Sequence, residues 1–202
     1  MSIPSKILDY LKKNSVEVRV VHHKKVYTIH DLASTLGEKL NKIGKTLLVK
    51  VDGKPYLAMV PGHLYLDLTK VKKALKAKKV DLADEKMIKK IFGMEAGALH
   101  PFAKLSGLRL LMDEGLAKAK EAIVRAGSFT DSLRMEIKDL KKMEEVSLGD
   151  FGKMMAPKVK KAAKIVAKQA VKKGYLVKKA IKQENNKTKK AVKKAVKKAK
   201  RK

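Results

Sequence analysis

The sequence predicts a mixed α+β domain, built on a curved mixed β-sheet with flanking helices and followed by a basic tail. Two observations lead there. Through residues 1–157, short runs with strand alternation recur among short segments with helical spacing, without the regular strand-and-helix alternation of a doubly wound nucleotide fold. The composition then shifts: residues 158–202 carry 20 of the 50 Lys and Arg residues and one acid, Glu184, so most of the +30 formal charge lies in that stretch. The first part has the apolar periodicity to fold around a core, and the second mostly lacks it. The expected organisation is a domain over 1–157 and a lysine-rich tail over 158–202, helical in part or disordered.

Each element follows from local pattern. Ile7, Leu8 and Leu11 recur at helical spacing after Pro4, which a first helical turn tolerates. Val16, Val18 and Val20 alternate as a strand. Thr28 can cap a helix carrying Ile29, Leu32, Ala33 and Leu36, with Gly37 as its stop. Ile43 to Val51 and Tyr56 to Val60 flank Asp52-Gly53 and read as a hairpin closed off by Pro61-Gly62. Asp67 or Thr69 opens a basic helix through Leu75, Val80 to Leu82 is a short strand, and Asp84 caps a helix with Met87, Ile88 and Ile91 inward. Gly93 to Pro101 is a glycine-rich loop. Strands are expected over Leu108 to Met112, Ala122 to Ala126 and Ser132 to Ile137, then a helix over Leu140 to Met143.

Composition narrows the function. With no cysteine there is no disulfide scaffold, thiol nucleophile or thiolate metal site, which fits an intracellular protein. The five histidines, His22, His23, His30, His63 and His100, have no zinc-protease spacing, so neither a metal nor another cofactor is expected. No apolar run reaches the roughly 20 residues of a membrane span and the first residues do not read as a signal peptide, so a cytoplasmic protein is expected. A chain this positive associates with polyanions, because lysines displace condensed counterions from phosphate backbones. In the tail, Lys189, Lys190, Lys193, Lys194, Lys197 and Lys198 form a low-complexity repeat resembling linker-histone tails. With Tyr175 its only aromatic residue and few arginines, the tail lacks a base-stacking platform and bidentate base readers, so nonspecific nucleic-acid binding is expected. Anionic lipid fits less well, because the apolar positions are mostly Ala and Val.

Three stretches carry the chemistry. Gly44-Lys45-Thr46 is not a phosphate loop, since that motif requires glycine where this chain has Lys39. On its own Lys45 reads as a solvated lysine entering a strand. Gly97-Ala98-Leu99-His100-Pro101 reads as a connecting loop in which Gly97 can take positive φ and Pro101 fixes the exit. Ala126-Gly127-Ser128-Phe129-Thr130-Asp131-Ser132 reads as a polar turn between strands. Ser128 lacks a nucleophile-elbow context, and no catalytic triad is evident.

In this order, the three stretches resemble the YbaK/prolyl-tRNA-synthetase-associated domain family, which contains free-standing aminoacyl-tRNA deacylases. The resemblance covers about residues 1–150. It implies a barrel-like mixed sheet and an enzyme that hydrolyses the ester of mischarged tRNA in trans, with aminoacyl-tRNA as partner and a synthetase as a further one. By that resemblance Lys45 holds the terminal phosphate and sugar, and the amides around Gly97 and Ala98 contact the substrate carbonyl or place the attacking water. Thr46, Leu99, His100 and Pro101 would line the pocket, with His100 at its rim or on the surface, and Gly127, Ser128, Thr130 and Ser132 would form another wall. Phe129 stands where many relatives carry histidine, which bears on pocket selectivity. A small amino acid on tRNA for proline is the default substrate. The rival reading is a domain without catalysis that, with its basic tail, binds nucleic acid or the ribosome.

Overall fold

A computed structural model describes residues 3–154; the tail and its lysines lie outside them. The element order is α1 (Ser5–Lys13), β1 (Arg19–His22), α2 (Ile29–Leu36), β2 (Gly44–Val51), β3 (Lys54–Pro61), β4 (Leu64–Leu66), α3 (Leu68–Ala74), β5 (Val80–Leu82), α4 (Glu85–Phe92), β6 (Leu110–Asp113), α5 (Glu114–Ala117), β7 (Glu121–Arg125), β8 (Asp131–Glu136), α6 (Ile137–Met143), β9 (Val146–Gly149) and β10 (Gly152–Met154). The mixed α+β class stands. The strands divide among three sheets and do not close into a barrel: β5-β2-β3-β6-β9, β1-β8-β7 and β10-β4. β3 runs parallel to β6, and β6 to β9, while the other pairs are antiparallel.

Local chemistry accounts for the boundaries. Thr28 Oγ1 accepts the Asp31 amide at the start of α2, and Gly37, at φ 63°, ends it in the left-handed conformation that a side chain resists. Asp67 and Asp84 cap α3 and α4 through their carboxylates. The β2–β3 hairpin turns at Asp52-Gly53 and pairs Lys45 with Val60 and Thr46 with Met59. Its inner face joins Leu48, Leu57 and Met59 to Phe102, Leu110, Val124 and Leu133 in the main core. A smaller cluster of Val26, Leu32, Ile43 and Ile123 lies beneath α2. The bridge between Ile43 and Ile123 brings the entry of β2 beside β7, which places Lys45 and the last residue of β7 on one side of the molecule.

β4, α5, β9 and β10 have no counterpart in the sequence reading. Each is three or four residues long, too short for periodicity to register. A side chain organises two of them: Asp113, 3% exposed, accepts the Gly115 amide through Oδ1 at 2.9 Å. Its Oδ2 accepts the Phe151 and Gly152 amides at 3.0 and 2.7 Å. One buried carboxylate therefore starts α5 and seats β10 against the domain.

Candidate active site

Lys45 lies one residue inside β2, half-buried, with Nζ donating to the Leu64 carbonyl at 2.6 Å and standing 5.2 Å from the Tyr65 ring centroid. Partial burial lowers its pKa, and the strand holds the ammonium in place. Beside it a cavity of about 240 Å³ opens between the start of β2, the 93–101 loop and the end of β7. Lys45, Thr46, Leu47, Gly97 and Leu99 line it together with Tyr27, Ile29, Ala96 and Arg125.

The floor and the rim differ. Thr46, Leu99 and Arg125 are buried, whereas Tyr27 and Gly97 are exposed. Thr46 Oγ1 has no hydrogen-bond partner. A buried hydroxyl in that state carries a desolvation cost. Among the described residues no carboxylate lines the cavity.

Gly97 acts differently from expectation. It has no positive φ and sits in a 3₁₀ turn over Ala96–Ala98. Its need for glycine is one of close approach: a Cβ there would come within 2.9 Å of Phe129 Cε1 and 3.3 Å of the Tyr27 carbonyl oxygen. The Ala98 amide is also spoken for, donating to the Glu95 carbonyl at 3.0 Å, so it does not face a substrate oxygen. The amides of Ala96 and Gly97 precede that first bond of the turn and are the ones such a turn leaves for another acceptor.

His100 corrects the reading of a rim histidine. It is fully buried, its ring stacked at 5.5 Å on Phe102 and edge-on at 5.6 Å to Phe92. Nδ1 accepts the Phe102 amide, and burial, with a smaller contribution from the charge of Lys6, lowers its pKa to about 4. It is a neutral core residue. Pro101 is likewise buried and outside the cavity lining.

The third stretch builds a network beside the cavity. Ser128 Oγ and Thr130 Oγ1 each donate to Asp131 Oδ2 at 2.7 Å, and exposed His22 reaches Oδ1 through Nδ1 at 2.7 Å. Burial raises the Asp131 pKa, but the hydrogen bonds from Thr130, Ser128 and His22 outweigh it and hold the carboxyl low. Ser132, fully buried, bonds His23 Nε2 at 3.0 Å. Gly127, at φ 81°, donates its amide to the Ala98 carbonyl and fastens the turn to the glycine loop. None of Gly127, Ser128, Thr130 and Ser132 lines the cavity; they brace its walls.

Tyr27 and Arg125 are the residues the sequence reading missed. Tyr27 packs on Phe129 with centroids 4.8 Å apart, and the Arg125 guanidinium carbon lies 5.6 Å from the same ring. The overlooked signal was an arginine inside the apolar run Ala122-Ile123-Val124-Arg125-Ala126, since a charge in a buried strand is rare without a purpose. Among the described residues no three His, Asp or Glu side chains group to hold a metal ion, and no helix is long and apolar enough to cross a membrane.

The aminoacyl-tRNA editing domain model matches residues 23–143, more than half the chain and all of the cavity. The chain belongs to that family. The chain is 31% identical over 90 residues to proline–tRNA ligase of Leuconostoc citreum, covering 45% of this chain and 16% of the ligase. It is 29% identical over 108 residues to the Thermosipho melanesiensis enzyme, covering 54% and 19%. The chain thus spans less than a fifth of the length of these ligases. A crystal structure of a proposed trans-editing enzyme for prolyl tRNA synthetase superposes with a TM-score of 0.68 at 21% identity, over 76% of this chain and 99% of that one. The hypothetical protein APE2540 gives the same TM-score at 23% identity, over 73% of this chain and 99% of that one. At those identities both likenesses concern the fold.

Proposed function

We propose that this protein is an aminoacyl-tRNA deacylase that hydrolyses the ester of mischarged tRNA in trans. A small noncognate aminoacyl group on tRNA for proline is the substrate. The observation that carries the reading is the single cavity shared by Lys45, Thr46 and Gly97, inside the stretch matched by the editing-domain model. The ligases and the proposed trans-editing enzyme it resembles support the same chemistry and the choice of tRNA.

The residues divide the work by what each can offer. Lys45, a point charge on a strand, holds the terminal phosphate and sugar at the rim. The aminoacyl group enters the cavity, where the amides of the 96–97 turn meet the ester. An aminoacyl ester is already activated by its neighbouring ribose hydroxyl and ammonium, so aligning a water and stabilising the developing oxyanion suffices. Each fixed donor aimed at that oxyanion is worth about 3 kcal/mol, which makes a protein nucleophile unnecessary. Ser128 is engaged with Asp131 outside the cavity and has no part in bond cleavage. The tail over 158–202 adds nonspecific affinity for tRNA, raising the local concentration of the acceptor end.

The test is release of labelled amino acid from tRNA for proline charged with alanine, serine, cysteine, threonine or aspartate, with the prolyl form as the cognate control. The reading expects Lys45-dependent hydrolysis of a noncognate member and sparing of the prolyl ester. Absence of release from all of them, with salt-sensitive tRNA binding intact, would replace it with the rival reading of a binding protein.

A further inference from the structure

Tyr27 and Tyr65, 58% and 46% exposed, are the exposed aromatic rings among the described residues. A singly exposed ring is ordinary on a protein surface. Tyr65 is engaged by Lys45, whose Nζ stands 5.2 Å from its centroid, and it lies outside the cavity lining. Tyr27 differs: it lines the cavity beside Ile29, Gly97 and Leu99, and it also lines a second cleft of about 280 Å³ with Lys24, Lys25, Ser34 and Thr35. One ring thus borders both spaces.

Buried groups hold this exposed side chain in place. The Val26 amide donates to the Phe129 carbonyl at 3.1 Å, and Arg125 Nη2 donates to the Val26 carbonyl at 2.8 Å. Arg125 is 3% exposed, and its second contact, Nη1 to the Phe129 carbonyl at 3.5 Å, ties together the same two backbone segments. Immediately after Tyr27, Thr28 caps α2 by accepting the Asp31 amide. Phe129 packs on the Tyr27 ring with centroids 4.8 Å apart, and Gly97 leaves room for Phe129, since a Cβ there would come within 2.9 Å of its Cε1. The ring is therefore ordered before any ligand arrives, which removes part of the entropic penalty of binding.

A flat, exposed ring of fixed orientation among cations suits a nucleobase. Its face accepts a base by stacking whatever the sequence, and Lys24 and Lys25 favour the phosphates that accompany one. Lys25 Nζ lies 5.2 Å from the ring centroid. The one acid lining the cleft, Asp31, already accepts from the Thr28 hydroxyl. In an aminoacyl-tRNA the ribose that bears the ester also bears the terminal base. An ester held in the cavity consequently puts that base at the cavity's edge, where Tyr27 stands.

We propose that Tyr27 is the stacking platform for the terminal base of the aminoacyl-tRNA, which lies in the cleft beside the cavity. This rests on the deacylase reading of the same site. Tyr27 binds the end of the polynucleotide and takes no part in cleaving the ester.

The experiment measures hydrolysis of alanyl, seryl, cysteinyl and threonyl esters by the full chain, on tRNA for proline that ends either in adenosine or in an abasic ribose. With the adenosine-ended substrate, Tyr27→Ala lowers kcat/KM by at least about fivefold, chiefly through KM, and Tyr27→Phe restores it, because stacking needs the ring and not the hydroxyl. With the abasic substrate wild type is slower by a similar factor and Tyr27→Ala causes no further loss, the coupling expected of two groups in contact. A substitution that only loosened the fold would act equally on both substrates. The sequence has no tryptophan, so Tyr27→Trp places a single indole at the site. An amide-linked, nonhydrolysable alanyl-tRNA quenches its fluorescence when it ends in adenosine and not when it ends in the abasic ribose. Equal losses on both substrates, undiminished kcat/KM in Tyr27→Ala, or equal quenching by the two tRNAs overturns the proposal and leaves the deacylase reading standing. Release of none of the four amino acids by wild type removes the deacylase reading, and the platform falls with it.

Discussion

A histidine in a core carries its own pH signature. Unfolded His100 binds a proton near 6.5, while in the folded protein burial holds its pKa at about 4. Its contribution to stability is therefore whole above pH 6.5 and is lost as the pH falls through that window, approaching roughly 3 kcal/mol by pH 4. Glu144 works the other way, since burial raises its carboxyl and the folded state gains that proton first. Asp131 and Glu38, held low by hydrogen bonds, lose their contributions only in stronger acid. Between pH 7 and 5 the urea midpoint of wild type should fall by the equivalent of about 2 kcal/mol, and that of His100→Gln by much less. Parallel slopes in the two proteins would mean that His100 is not the titrating group. What the sequence could not reveal about this residue was its direction. Gly97 and Pro101 mark a loop at any reading, but whether the side chain between them faces cavity or core depends on Phe92 and Phe102 arriving from elsewhere in the chain.

At the level of elements, legibility followed length and capping. α2 and α4 were readable because Thr28, Gly37 and Asp84 announce their ends, and the β2–β3 hairpin because Asp52-Gly53 sits between two apolar runs. β4, β9 and β10 were not, because pairing rather than local preference creates them. β10 pairs with β4 far back in the chain, Gly152 opposite Leu66 and Met154 opposite Leu64. The same limit applied to the site. Lys45, Thr46, Gly97 and Leu99 were found by motif and do meet, whereas the polar turn at 127–132 braces the cavity from outside it. The burial of Asp113 makes a prediction here. Removing its carboxylate in Asp113→Ala strands three amides, two of them in buried bonds, and should destabilise the domain by roughly 3 kcal/mol in urea unfolding. A change below 0.5 kcal/mol, within the usual scatter of surface substitutions, would show that β10 is seated by packing alone.

Across the whole molecule, charge is the dominant feature. The net +30 is concentrated beyond residue 157, outside the family match at 23–143, and the proposed function divides substrate capture and chemistry between those two parts of the chain. On that division, truncation after residue 157 should raise KM for aminoacyl-tRNA and flatten its dependence on salt while kcat changes little, because each lost phosphate contact removes close to one unit of the salt slope. Unchanged KM at low salt would assign the tail to a task other than substrate capture.

The most direct measurement of the central claim is single-turnover release of labelled amino acid from noncognate aminoacyl-tRNA for proline, wild type beside Lys45→Ala. The account predicts release by wild type and loss of it, by at least about a hundredfold, in a variant whose unfolding midpoint is unchanged. Equal rates in the two proteins would remove Lys45 from the site and contradict the account.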